Sequence, residues 1–364
     1  MSDSHDTQRR KLLSDLFRGY GGPPFAIRLW NGWQWASLPG ERPAFTVAIA
    51  TPGALASLVA EPNEITLGEA FIHKEIDVEG DLFSVFAVAE YLVTRPRGLL
   101  ERAKEFIARS VVSAGRRLRS GVQHSKARDR EAISYHYDQP VEFFRPWLGS
   151  TLVYSCAYFR TLQDSLDLAQ RQKLDLICQK LRLQSLERFF DVGCGWGSLI
   201  LHAAGEYHAN AHGITLSRIQ AEVAQKRIQD ARLGLKCKVE LRDYRDCDPL
   251  AESFDKIASI GMFEHVGLKN LPEYFRIVRG LLRPGGVFLN HCIARSPSSP
   301  VRKDSFIDRY VFPDGHLVTL SEATAAAEST GFEVRDVENL REHYELTLRK
   351  WVEGLRQNET TLRN

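Results

Sequence analysis

The chain has 364 residues, 43% of them hydrophobic and 26% charged, with a formal net charge of +2. That length allows two domains with separate cores, while the near-neutral total supplies no global field for nucleic acid. No run of about twenty apolar residues occurs, which excludes a membrane-spanning helix.

The opening stretch from Met1 to Phe17 lacks the apolar centre of a signal peptide, so export is not expected. Phe25–Trp30, the pair Asn31-Gly32 and Trp33–Trp35 read as a hairpin closed by a tight turn. A strand is expected at Phe45–Ile49. Thr51-Pro52 then starts a helix carrying Leu55, Leu58 and Val59 on one face. Residues 1–94 thus predict a small α+β domain without evident catalytic groups.

Residues 95–130 change character. Arg95, Arg97, Arg102, Lys104, Arg109, Arg116, Arg117 and Arg119 crowd a segment in which Leu99, Phe106, Ile107, Val111 and Leu118 recur at helical spacing. Such a basic amphipathic helix suits an anionic membrane surface, and equally a solvated linker packed on its own protein.

Residues 131–364 alternate helix and strand. Helices are expected at 165–183, 219–233 and 270–282, and strands at 187–192, 236–241, 254–260 and 287–293. The alternation predicts an α/β domain with a parallel sheet covered on both faces. Six cysteines (Cys156, Cys178, Cys194, Cys237, Cys247 and Cys292) form neither a C-x-x-C pair nor a zinc-like cluster with histidine. Reduced thiols of a cytoplasmic protein, and no metal site, are the expectation.

The strongest local signal is Asp191-Val192-Gly193-Cys194-Gly195-Trp196-Gly197, where a strand runs into glycines that open a helix. Glycine there lets the backbone approach a ligand that side chains would obstruct. A dinucleotide fingerprint needs its third glycine at position 198, which is Ser198. The D-x-G-x-G-x-G form is instead similar to S-adenosylmethionine-dependent methyltransferases, the bland alternative being a structural strand–helix turn. No carboxylate follows the next strand, so Thr215 and Gln220 are the nearby groups able to bond a ribose diol, beside Leu216.

Further segments carry a family resemblance: Tyr154–Phe159, Arg242–Asp246, Gly261–Gly267, Phe306–Pro313 and His343–Leu348. In this order they resemble the cyclopropane-fatty-acyl-phospholipid synthases, relatives of the mycolic acid cyclopropane synthases. The likeness runs from about Glu131 to Gly354, and more weakly through Leu67–Ala70 and Asp77–Leu82. It implies a Rossmann-like class I methyltransferase domain behind a smaller amino-terminal lipid-associated domain. It also implies a homodimer, an unsaturated phospholipid substrate, and peripheral attachment to the inner face of the membrane.

By the same resemblance, S-adenosyl-L-methionine would lie against Tyr154, Ser155, Asp191, Gly193, Cys194, Gly195, Gly197, Thr215, Leu216, Gln220, Asp243 and Tyr244. A bicarbonate ion would be caged as the base by Cys156, Glu264, His291, Ile293 and Tyr344. The residue types suit such chemistry. An alkene is a weak nucleophile and must be held in line with the sulfonium methyl. The resulting carbocation needs water excluded and aromatic faces near it, for which Tyr158, Phe159, Phe263 and Tyr310 are candidates. A base then strips a proton from the new methyl so that the ring closes. Tyr344, His291 and backbone N–H groups can donate to a trapped anion, whereas Glu264 either accepts its O–H or fixes His291.

Each residue also has a plain reading. Cys156 and Cys292 could be small core residues, His291 a satisfied core histidine, and Asp191 an organiser of the loop. One departure stands out: after His136-Tyr137-Asp138 the family continues Leu-Gly-Asn, where this chain has Gln139-Pro140-Val141. That leaves open a fatty acid methyltransferase giving a methyl-branched or methylene product, or a methyltransferase of small amines. A lipid carrier without catalysis would have no use for the glycine loop.

Overall fold

A computed structural model of the chain describes residues 7, 10–11, 13–60, 63–94, 139–298, 305–312 and 315–362. The chain divides into two compact units, Met1–Ser120 with Asp304–Phe306, and Gly121–Lys303 with Ile307–Asn364. The expected basic helix at 95–130 lies outside the described residues.

In the first unit, β1 (Phe25–Leu29) and β2 (Gln34–Ala36) form the expected hairpin, pairing Arg28 with Gln34 and Ile27 with Trp35. Gly32 turns the chain at a φ of 81°, and the Asn31 side chain accepts from the Trp33 N–H. β3 (Phe45–Ile49) lies parallel to β1, and β4 (Ile76–Gly80) closes the sheet antiparallel to β3. α1 (Pro52–Ala60) starts where Thr51 Oγ1 accepts from the Ala54 N–H, and its Leu55 and Leu58 pack on the sheet core. α2 (Glu64–Ile72) and α3 (Leu82–Thr94) complete this α+β unit.

The second unit is built on five parallel strands: β5 (Arg188–Val192), β6 (Asn210–Thr215), β7 (Cys237–Leu241), β8 (Phe254–Ile260) and β9 (Leu282–His291). Their spatial order is β7-β6-β5-β8-β9. On β5, Phe189 faces one core cluster and Phe190 the other, and both are fully buried. A strand covered on both faces belongs to a doubly covered parallel sheet. Helices α4 (Val141–Leu148), α5 (Leu166–Lys180), α6 (Ser198–Glu206), α7 (Arg218–Asp230) and α8 (Leu271–Leu281) accompany the strands. α5 begins at Ser165, whose hydroxyl accepts from the Leu168 N–H. α8 buries Leu271, Tyr274, Phe275, Val278 and Leu281, a stripe at helical spacing. α9 (Phe306–Tyr310), α10 (Leu320–Ser329) and α11 (Arg341–Gln357) follow.

The expected last strand at 287–293 is displaced. β9 begins at Leu282 and ends at His291, because the Ile293 N–H leaves the ladder and donates to the Glu264 carboxylate. From β5 the chain moves outward on one side through β6 and β7, then returns through β8 to β9. The carboxyl ends of β5 and β8 are therefore the switch point where open sheets hold ligands.

Candidate active site

The glycine turn sits at that switch point. Its start is pinned by Gly193 and Cys194, whose N–H groups both donate to the Ile214 carbonyl, at 3.0 and 2.8 Å. Gly193, Gly195 and Gly197 have φ values of 86°, 53° and 83°, a region costly for residues with a Cβ. Gly197 also caps α6, and a Cβ there would lie 3.0 Å from that of Ala224 on α7. Its role is helix approach, since it does not line the cavity beside the turn.

That cavity is lined by most of the expected cofactor residues: Tyr154, Ser155, Asp191, Gly193, Cys194, Gly195, Thr215, Leu216, Gln220 and Tyr244. Asp243 and Thr215 carry partners that the sequence does not show. Asp243 is buried, but its carboxylate accepts three N–H groups from Arg245 at 2.7–2.9 Å and does not line the cavity. Thr215 Oγ1 donates to Gln220 Oε1 at 2.7 Å and accepts from the Ser217 N–H at 3.2 Å. Its proton is thus committed to Gln220, which leaves the Gln220 amide nitrogen as the donor of that pair and one hydroxyl lone pair as a further acceptor.

The aromatic expectation shifts too. Phe263 packs against Tyr274 and Phe275 in the core, and Tyr158 stacks on His343 at 4.4 Å. Neither they nor Phe159 and Tyr310 line the cavity; Tyr154, Trp196 and Tyr244 do. Tyr154 is held by Trp147 and Trp351, and burial pushes its hydroxyl up to about 12.

Of the five expected cage residues, Glu264 follows β8, His291 and Ile293 stand at the end of β9, Tyr344 is in the first turn of α11, and Cys156 precedes α5. Glu264 Oε1 accepts from the Ile293 N–H at 2.7 Å, whereas Oε2 is buried without a hydrogen-bond partner. Burial raises the Glu264 carboxyl above its ordinary range, opposed by that N–H. No hydrogen bond joins Glu264 to His291 among the described residues, so the carboxylate does not fix the imidazole. Burial and the nearby Lys173 charge push His291 down to about 3, leaving it neutral at physiological pH. Burial pushes the Cys156 thiol up to about 11, and the thiol donates to the Ala157 carbonyl at 3.2 Å. It is therefore no thiolate nucleophile. Tyr344 lies within electrostatic reach of Glu264, Cys156 and Tyr154, all of which raise it beyond the effect of burial.

The segment before α5 is fixed from two sides. Thr347 Oγ1 on α11 accepts from the Ala157 N–H at 3.0 Å and donates to the His343 carbonyl at 2.7 Å. His343 Nδ1 in turn accepts from the Phe159 N–H at 3.0 Å.

Sequence reasoning missed Lys173, Trp196, Met262 and His265, all of which line the cavity. Trp196, Met262 and His265 stand inside segments already singled out. Lys173 lies on α5, where its helical spacing reads as an ordinary solvated face, yet it is 2% exposed.

Residues 124–364 match the sequence model of the mycolic acid cyclopropane synthetase family, and residues 11–92 match a domain of unknown function. The chain is 40% identical over 336 residues to a probable fatty acid methyltransferase of Pseudomonas putida, covering 91% of this chain and 81% of that one. It is 39% identical over 218 residues to the cyclopropane-fatty-acyl-phospholipid synthase of Escherichia coli, covering 60% and 54%. The crystal structure of mycolic acid cyclopropane synthase CmaA1 complexed with SAH and CTAB superposes with a TM-score of 0.60 at 33% identity, over 64% of this chain and 85% of that one.

Proposed function

The chain belongs to the mycolic acid cyclopropane synthetase family and is an S-adenosylmethionine-dependent enzyme, and on that footing we propose that it closes a cyclopropane ring on the double bond of an unsaturated phospholipid acyl chain. The residues present suit the cofactor. Three glycines with positive φ open the backbone, and Asp191 keeps a buried oxygen without a partner beside the turn. When bound, S-adenosylmethionine supplies a methyl group made electrophilic by its sulfonium.

The observation that carries the reading is the buried, unpartnered Glu264 Oε2, on a carboxylate whose other oxygen holds the Ile293 N–H and whose charge acts on Tyr344. A buried carboxylate oxygen without a donor is costly, and it suits a small guest that brings an O–H. Bicarbonate fits that description and would supply a base compact enough to reach the transferred methyl. Neutral His291 and the Tyr344 hydroxyl can donate to such an anion, while Glu264 accepts from it. Tyr154, Trp196 and Tyr244 line the cavity with aromatic faces, which favour a cation and keep water away.

A membrane surface contact through the basic stretch at 95–130, and a homodimer, belong to the same proposal. Among the described residues no helix is long and apolar enough to cross a membrane. Incubation with S-adenosylmethionine and vesicles of monounsaturated phospholipid should give acyl chains one CH2 heavier and free of olefinic proton signals. The Pseudomonas putida relative favours a second reading, fatty acid methylation with a branched product. A gain of CH3 plus hydride would select it.

A further inference from the structure

Lys173 has no part in the chemistry above, yet it is an ammonium buried in the wall of the cofactor cavity. An unpaired buried ammonium is costly enough that its surroundings should explain it. Its hydrogen bond runs from Nζ to Ser155 Oγ at 3.0 Å. One helical turn earlier on α5, Gln170 donates to the Ser155 carbonyl at 2.9 Å and so fixes the backbone that carries the hydroxyl. A serine oxygen that accepts from an ammonium must turn its own proton elsewhere, and Ser155 lines the same cavity.

The opposite charge is Asp191. It lies on the β5 face shared with Phe189, the face covered by the α5 residues Leu174, Ile177 and Cys178. Asp191 is 2% exposed and its Oδ1 has no hydrogen-bond partner; burial pushes its carboxyl up to about 7, opposed by the Lys173 charge. No ion pair within 4.0 Å joins the two among the described residues. The cavity wall therefore offers donors at Lys173 and Ser155 and a separate acceptor at Asp191. An α-amino acid group, with a carboxylate and an ammonium on one carbon, complements that arrangement.

We propose that Lys173 is a positioning residue for the amino acid end of the cofactor, acting through Ser155 to turn its hydroxyl toward the cofactor carboxylate. The inference rests on the assignment of S-adenosylmethionine as cofactor. The probes are S-adenosylhomocysteine, which has the amino acid end, and 5′-methylthioadenosine, which lacks it. Their binding to the full chain is measured by calorimetry for wild type, Lys173→Met, Ser155→Ala and the double variant.

Lys173→Met should weaken S-adenosylhomocysteine by roughly 10- to 100-fold, the range of a lost charge-assisted hydrogen bond. It should leave methylthioadenosine within about threefold, inside the spread of such measurements. The double variant should lose less than the product of the two single losses, because the residues act as a unit. Equal weakening of both ligands, or fully multiplicative losses, overturns the proposal. If Lys173→Met does not fold, Ser155→Ala decides: unchanged S-adenosylhomocysteine binding refutes it, and selective weakening supports it. Wild-type protein that binds methylthioadenosine and S-adenosylhomocysteine equally well refutes the inference alone. Wild-type protein that binds neither overturns the cofactor assignment itself.

Discussion

Glu264→Gln separates a working carboxylate from a structural one. The amide keeps an oxygen for the Ile293 N–H, now held at 2.7 Å by Oε1. Making that acceptor neutral weakens the bond by about 1 kcal/mol. Against this, the variant removes a buried charge whose second oxygen has no partner, a relief of about 1–3 kcal/mol, offset by about 1 kcal/mol because the amide nitrogen in that place is unpartnered too. The net change in stability lies between a loss of about 1 and a gain of about 1 kcal/mol. The sign with pH follows from the raised carboxyl. A group that holds its proton more tightly when folded stabilises most below its unfolded value, and that contribution is lost as pH rises through the folded one. The advantage of the variant over wild type should therefore grow with pH. Catalysis moves the other way: losing the ionic acceptor for the guest O–H costs about 1.5–3 kcal/mol, or roughly 10- to 150-fold in kcat/KM. Denaturant melts at pH 5 and pH 8, with turnover on phospholipid vesicles, read both quantities. Full activity in the variant, or a loss of more than about 2 kcal/mol at pH 8, would refute the reasoning.

Gly197→Ala should cost about 1–2 kcal/mol from its left-handed backbone, and more from the 3.0 Å approach to Ala224; a thermal melt checks it. Thr347→Val should leave the Ala157 N–H unsatisfied and cost about 1–3 kcal/mol in a denaturant titration, since Thr347 is fully buried. Arg227 donates to the Trp196 carbonyl at 2.6 Å, to Ser198 Oγ at 2.9 Å and to the Thr151 carbonyl at 3.3 Å. Arg227→Met should therefore loosen the end of the glycine turn and weaken S-adenosylhomocysteine binding about tenfold in a calorimetric titration.

The catalytic sheet was legible because its strands are apolar runs bounded by glycine and helix caps, and the glycine turn announces its own position. The hairpin at 25–36 was legible from Asn31-Gly32 for the same local reason. What escaped was decided by tertiary partners. β9 stops at His291 because a carboxylate 29 residues earlier in the chain captures the next available N–H. Thr215 looks free in sequence, but its proton goes to Gln220 and one of its lone pairs to the Ser217 N–H. Asp243 looks like an isolated carboxylate in sequence, whereas Arg245, two residues on, folds back over it. Lys173 is the sharpest case, because a lysine on an amphipathic helix reads as solvated until the opposing Asp191 and Ser155 are in place.

The most direct test follows the transferred carbon itself. With S-adenosylmethionine carrying a trideuterated methyl group and monounsaturated phospholipid vesicles, the lipid product should keep two of the three deuterons and show cyclopropyl proton signals. Retention of all three would mean that no proton leaves the transferred methyl, and would contradict the role given to the residues around Glu264.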